Sequence, residues 1–299
     1  MESIKSTTLQ TQLTMETTQS NQKYTIILSI AGSDSSGGAG IQADIKTISA
    51  LGCYAATAIT ALTVQNTMGV SGVHPIPADI AIAQVQAVLN DMPPAAIKIG
   101  MIHSAAIALS LAQTLTQHPG IPVIFDPVMV ATSGDLLMEK DTINVITQNI
   151  LPITTLLTPN LHEAAVLAEM PIASIMDMQV AAKKIIKYGS FAVLIKGGHL
   201  KGQDLCDVYF DQNGVEKLFH SPAIPSINTH GTGCSLSSAI ASYLGLGEDL
   251  NAAIVKGKYY IHQAILHGKD VKTGNGHGPL NHFFAPVPMK INILSKAKL

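Results

Sequence analysis

Short, mostly apolar runs, each closing in a polar or glycine-rich turn and each followed by a helical pattern, constrain this chain more than any other feature. TIILSI at 25–30, AAIKI at 95–99, VIF at 123–125, LL at 156–157 and AVLI at 192–195 recur in this way, with helical stretches between them. A strand that is apolar at nearly every position has no face left for water, so both faces must be covered. Strands alternating with helices therefore predict an α/β fold with a mostly parallel sheet between helices, whose ligands bind beyond the carboxyl ends of the strands. DVYF at 207–210, DQNG at 211–214 and the run 215–219 depart from this grammar. Their Asn-Gly turn predicts a small antiparallel hairpin at one edge.

No internal repeat and no Pro- or Ser-rich linker follows residue 24, so residues 24–299 read as one domain. Residues 1–23 are rich in Ser, Thr and Gln and read as a disordered extension without the features of a signal or transit peptide. With 47% hydrophobic residues the chain can bury a sizeable core. No apolar run reaches the roughly 18 residues of a spanning helix, so no membrane role is expected. Only 13% of residues are charged, the net charge is -2, and the basic residues, all lysines, are scattered. Nucleic-acid binding is not expected of such a surface. Cys53, Cys206 and Cys234 lie far apart with no C-x-x-C spacing, which suits a reducing cytoplasm better than a disulfide or zinc framework.

The stretch His230-Gly-Thr-Gly-Cys234, entering a small-residue helix, is the strongest local signal for chemistry. Gly231 and Gly233 let successive N–H groups around Thr232 point one way, and the helix behind adds the positive end of its dipole. That is an anion trap. Cys234, in the first turn, is open to three readings: proton acceptor, nucleophile or small buried residue. The loop AGSDSSGGAG at 31–40 lacks the Lys-Ser/Thr ending of a P-loop and the spacing of a dinucleotide fingerprint. In the helix after it, Ile41, Ile45, Ile48 and Leu51 form the expected buried stripe, and Asp44 falls inside it. A carboxylate there needs a partner, either loop N–H groups or a ligand.

Gln65 and Asn66 end a Thr/Ala/Val-rich run, and an amide both donates and accepts, as reading a heteroaromatic edge requires. In TPNLHE at 158–163, Thr158 is the expected N-cap with Pro159 at the first helical position. The competing reading has Asn160 and Glu163 facing hydrated magnesium and phosphates, with Asp126 as a second carboxylate. His162 and Glu163 do not complete H-E-x-x-H, so a zinc protease is excluded. Lys196, beside two glycines at a strand end, suits a phosphate; Lys258, in a helix over 250–266, is a weaker candidate.

Taken together, AGSDSSGGAGIQADIKT, ALTVQN, KIGM, DPVM, LTPNLHEA, LIKGGHL and HGTGCSLSSAIA, in this order over about residues 25–284, resemble the hydroxymethylpyrimidine/phosphomethylpyrimidine kinases of thiamine biosynthesis, members of the ribokinase superfamily. The resemblance implies a three-layer α/β/α fold, ATP with Mg2+, a cytoplasmic homodimer, and two successive transfers to 4-amino-5-hydroxymethyl-2-methylpyrimidine, first to its hydroxyl and then to the monophosphate. It implies that Asp44 and Gln65 hold the pyrimidine, with Met101 packed on the ring and Gly32 nearby. Asn160 and Glu163 would organise magnesium and phosphates with Asp126, while Lys196 and Lys258 approach the ATP phosphates. Many superfamily relatives place an aspartate base where this chain has Cys234, so a thiolate of depressed pKa is expected to assist the first transfer, at the Gly231–Thr232–Gly233 hole. Pyridoxal kinase, alone or as a dual activity, and a catalytically silent pyrimidine sensor are the competing readings.

Overall fold

The computed structural model describes residues 22–129, 138, 140–198 and 204–293. In chain order the first half runs β1 (Gln22–Tyr24), β2 (Ile26–Asp34), α1 (Gly40–Ala50), β3 (Tyr54–Asn66), β4 (Gly69–Pro75), α2 (Ala78–Asp91), β5 (Ala96–Ile99), α3 (Ala105–Thr116) and β6 (Val123–Phe125). The second half runs α4 (Lys140–Val145), β7 (Leu156–Leu157), α5 (Leu161–Ala168), α6 (Ile175–Ile185), β8 (Ala192–Ile195), β9 (Asp204–Asp211), β10 (Glu216–Pro222), α7 (Thr232–Gly245), α8 (Leu250–Gly268) and β11 (Ile291–Ile293).

Nine strands form one sheet in the order β10-β9-β8-β7-β6-β5-β2-β3-β4. Every pairing from β3 across to β8 is parallel, as the apolar strands require. Alternate side chains go to opposite faces. Leu28, Ile30, Ile97, Ile99, Phe125, Val193 and Ile195 join a core with α2, α3, α5 and α6. Ile27, Ala96, Ile124, Leu156, Ala192 and Leu194 join another with α1, α7 and α8. The result is a three-layer α/β/α sandwich. No helix among the described residues is long and apolar enough to cross a membrane.

The β9–β10 hairpin forms as its Asn-Gly turn predicts. A second hairpin, β3–β4, borders the other edge and was not expected. Its turn carries Gly69 at φ 149, a conformation that favours glycine, and Asn66 Oδ1 accepts from Met68 N at 2.8 Å. Gln22 and Lys23, expected in the disordered extension, instead lie in β1 and pair with β11, which also gives the tail after Pro286 a place; residues 1–21 lie outside the described residues. In α1, Ile41, Asp44, Ile48 and Leu51 are buried, but Ile45 is 38% exposed and leaves the expected stripe.

Candidate active site

Strand order reverses at β2, which has β5 on one side and β3 on the other. Loops leaving neighbouring strands in opposite directions open a crevice there, and a cavity of about 580 Å³ fills it. Its wall takes Gly32 and Asp34 from the end of β2, Met101 from beyond β5, and Asp126 from beyond β6. Asn160 and Glu163 from beyond β7, Lys196 from beyond β8, Lys258 from α8 and Gly231–Cys234 at the start of α7 complete it. Of the residues expected in the site, Asp44 and Asn66 do not line the cavity.

At one end lies the anion trap. Gly231 caps α7 with φ 81, and a Cβ there would sit 1.8 Å from Gly38 O, so glycine is needed both for the conformation and for the close approach. The first N–H groups of α7 have no partner within the helix, though Thr232 N donates to Thr229 O at 3.2 Å, and the positive end of the helix dipole lies at the cavity wall. Opposite them, Lys196 Nζ bonds Asp126 Oδ1 at 2.6 Å. Burial opposes the charge on Lys196, but the carboxylates of Asp126 and Glu163 outweigh it and raise its pKa.

The helix start expected at Thr158 lies two residues later. Asn160 is the N-cap of α5: its Oδ1 accepts from Glu163 N at 2.9 Å, and Glu163 Oε2 accepts from Asn160 N at 2.7 Å. This reciprocal box freezes both side chains at the cavity wall. Thr158 is buried instead, with its hydroxyl 3.4 Å from both Phe125 O and Asp126 Oδ1. Burial pushes the Glu163 carboxyl upward, against the pull of Lys196. Lys258 pairs with Asp207, whose other oxygen accepts from Gly197 N at 2.8 Å, so the lysine is tethered to the loop after β8.

At the other end, a Cβ on Gly32 would come 2.9 Å from Met101 Sδ, so the bare glycine leaves room for the methionine. Met101 packs with Ala61, Val70, Val73 and Val128 into a small apolar wall. Beside it the Gln65 amide lies between Thr63 Oγ1, 2.9 Å away, and His230 Nε2, 3.4 Å away. His230 in turn meets Asp34 Oδ2 at 2.8 Å, both side chains being buried. Sequence reasoning assigned no role to Asp34 or His230. A buried acid inside a glycine-rich loop was the available signal, but its partner lies 196 residues away.

Two further expectations are corrected. Asp44 is fully buried behind the cavity wall, where Lys98 Nζ at 2.8 Å, Ser29 Oγ at 2.6 Å and Ser238 Oγ at 2.7 Å hold its carboxylate. Neither loop N–H groups nor a ligand supply its partners. Cys234 is half-buried in the wall, but burial, with Asp44 and Asp126 nearby, pushes its thiol up to about 11 despite the positive charge of Lys98. A depressed thiolate was expected; desolvation of a charge outweighs the helix terminus.

The sequence profile described as phosphomethylpyrimidine kinase matches residues 34–281, which hold every wall residue just described except Gly32. The chain belongs to the phosphomethylpyrimidine kinase family. A hydroxymethylpyrimidine/phosphomethylpyrimidine kinase of Rhizobium meliloti is 46% identical to this kinase over 261 residues, covering 86% of the chain and 97% of the relative. A thiamine biosynthesis bifunctional protein of Geobacter sulfurreducens is 44% identical over 259 residues, 87% of this chain but 52% of that protein. The kinase thus spans about half the length of such bifunctional relatives. Among solved structures, the Staphylococcus aureus pyridoxal kinase in complex with AMP-PCP and pyridoxal superposes with a TM-score of 0.79 at 30% identity, covering 90% of this chain and 99% of that one.

Proposed function

We propose that this kinase transfers the terminal phosphoryl group of ATP to the hydroxyl of 4-amino-5-hydroxymethyl-2-methylpyrimidine, and then a second one to the monophosphate so formed. One observation carries the proposal. A single cavity joins a ring-sized wall, made by Gly32, Gln65 and Met101, to an anion trap made by Gly231, Thr232, Gly233 and Lys196. A substrate that is both aromatic and phosphorylated needs both ends. The Gly231–Gly233 N–H groups and Lys196 would meet charge developing on the transferred group, and Lys258 would steady the nucleotide phosphates.

Asp126, Asn160 and Glu163 offer only oxygen donors, and two carboxylates stand against the one charge of Lys196. That set suits Mg2+, which would neutralise phosphate charge when bound. Cys234, once ionised, would take the proton of the alcohol. The monophosphate is already anionic and needs no such acceptor. Three free thiols support a reducing cytoplasm, and light scattering tests the homodimer.

The pyridoxal-bound neighbour favours a second reading, in which pyridoxal is phosphorylated as well. ADP release measured with the pyrimidine alcohol, its monophosphate and pyridoxal separates the two. Turnover with both pyrimidines at much higher kcat/KM than with pyridoxal supports the first reading; preference for pyridoxal overturns it.

A further inference from the structure

Counting hydrogens on the ring wall favours one arrangement. Asp34 Oδ1 accepts from the N–H and the hydroxyl of Ser36, and Oδ2 accepts from Gly38 N and Ala39 N and meets His230 Nε2 at 2.8 Å. So many donors hold the group as a carboxylate; although burial opposes the charge, His230 and the loop donors pull its pKa down to about 2. A carboxylate only accepts, so His230 Nε2 carries the hydrogen and has no lone pair to offer. Thr63 Oγ1 lies 2.9 Å from both Ser33 O and Gln65 Oε1 and has one hydrogen to donate. With that hydrogen on Ser33 O, the threonine accepts from Gln65.

The Gln65 amide spans these two groups. With its NH2 toward His230 it sets N–H against N–H, although its C=O can then accept from Thr63. Turned over, its oxygen faces the His230 N–H, whose hydrogen goes first to Asp34 Oδ2 at 2.8 Å, and its NH2 donates to Thr63 while Thr63 donates to Ser33 O. The two ends of a primary amide have the same shape, so the N–H of His230 at one end decides between them.

We propose that the Asp34–His230 pair fixes which way round the Gln65 amide lies, oxygen toward His230 and NH2 toward Thr63, and thereby fixes which way round the pyrimidine binds. The inference rests on the reading that Gln65 meets the ring edge. That edge carries a ring nitrogen acceptor beside the 4-amino donor, and an amide pairs with both as it does with adenine. With the amide oxygen on the His230 side, the 4-amino group takes that side. The 5-hydroxymethyl group, on the next ring carbon, is then carried toward Gly231 and Cys234. The opposite amide would turn it away from the anion trap. His230 is thus a positioning residue that acts through Gln65.

The test is the binding of the pyrimidine alcohol and of its analogue lacking the 4-amino group, measured by calorimetry. We expect loss of the amine to weaken binding to the unaltered kinase about tenfold, some 1.4 kcal/mol. In His230→Phe and in Asp34→Asn the penalty should fall below about threefold, because the amide is free to turn. His230→Gln, which can donate to Asp34 and Gln65 alike, should restore it. The ratio of two ligands on one folded variant does not move with general loss of stability, and Asp34→Asn serves if His230→Phe does not fold. A penalty undiminished in both variants overturns the proposal. Gln65→Ala separates this from the premise: if the penalty survives in Gln65→Ala, it is the ring-reading role of Gln65 that fails.

Discussion

Lys98 Nζ lies 2.8 Å from Asp44 Oδ2, and neither side chain is exposed. Lys98 stands on β5 in the middle of the sheet, and Asp44 on α1 reaches it between β2 and α7 through Ser29 and Ser238. Burial works against the lysine's charge, but Asp44 holds its pKa above the ordinary value. The pair ties together the helix after the first loop, the central strand and the helix that carries the anion trap.

Removing one partner leaves the other buried and uncompensated. Asp44→Ala should destabilise the kinase by about 3–5 kcal/mol in urea unfolding, and Lys98→Met by a similar amount. The double variant Asp44→Leu/Lys98→Met should recover much of the loss. A soluble Asp44→Ala protein of unchanged stability would show that the pair contributes nothing.

Cys234→Ala should slow phosphorylation of the alcohol more than that of the monophosphate. The base form is the thiolate, so with the thiol raised to about 11 the Cys234-dependent part of the first transfer should grow as pH rises from 7 to 10. Steady-state assays on the two acceptors across this range check both statements. Equal losses on both acceptors would remove Cys234 from the proton's path.

The pKa of Asp34 falls from 3.8 to about 2 on folding, so its contribution is present above pH 3.8 and is lost as pH falls through 2. The shift is worth about 2 kcal/mol. Asp34→Asn should therefore be destabilised by roughly that amount at pH 7. The gap to the unaltered protein should close as pH falls from about 4 toward 2, as followed by urea unfolding at each pH.

Gly231→Ala should lose most of its activity. The left-handed backbone alone costs a non-glycine residue about 1–2 kcal/mol, and the new methyl carbon would lie 1.8 Å from Gly38 O. The loop must move, and with it the N–H groups at the cavity. Retention of kcat within about threefold would show that these groups do not meet the transferred phosphoryl group.

Much of this molecule was legible in local pattern. Apolar runs gave β6, β7 and β8 to the residue, because a strand covered on both faces has to be apolar at successive positions. The Asn-Gly turn gave one hairpin, but the β3–β4 hairpin turns through Asn66-Thr-Met-Gly69, a weaker signal. The N-cap was misplaced because Thr158-Pro159 satisfies the local rule as well as Asn160 does; burial of Thr158 against Asp126 decides the matter. Gln65 and Lys196 were named from their places at strand ends, Asn160 and Glu163 from the TPNLHE stretch and Met101 only from the family resemblance, and the cavity brings them together.

By itself the sequence determined the layers, the parallel sheet and the edge at which the site lies, since periodicity and turn chemistry act between near neighbours in the chain. Only the tertiary structure decided how the buried charges pair. Asp44 meets a lysine 54 residues away and Asp34 a histidine 196 residues away, contacts that leave no periodic trace. The environment of Cys234 belongs to the same class. A thiol at a helix start reads locally as activated, but its pKa is set by the loss of water and the sum of charges around it, and both come from segments that folding alone brings near.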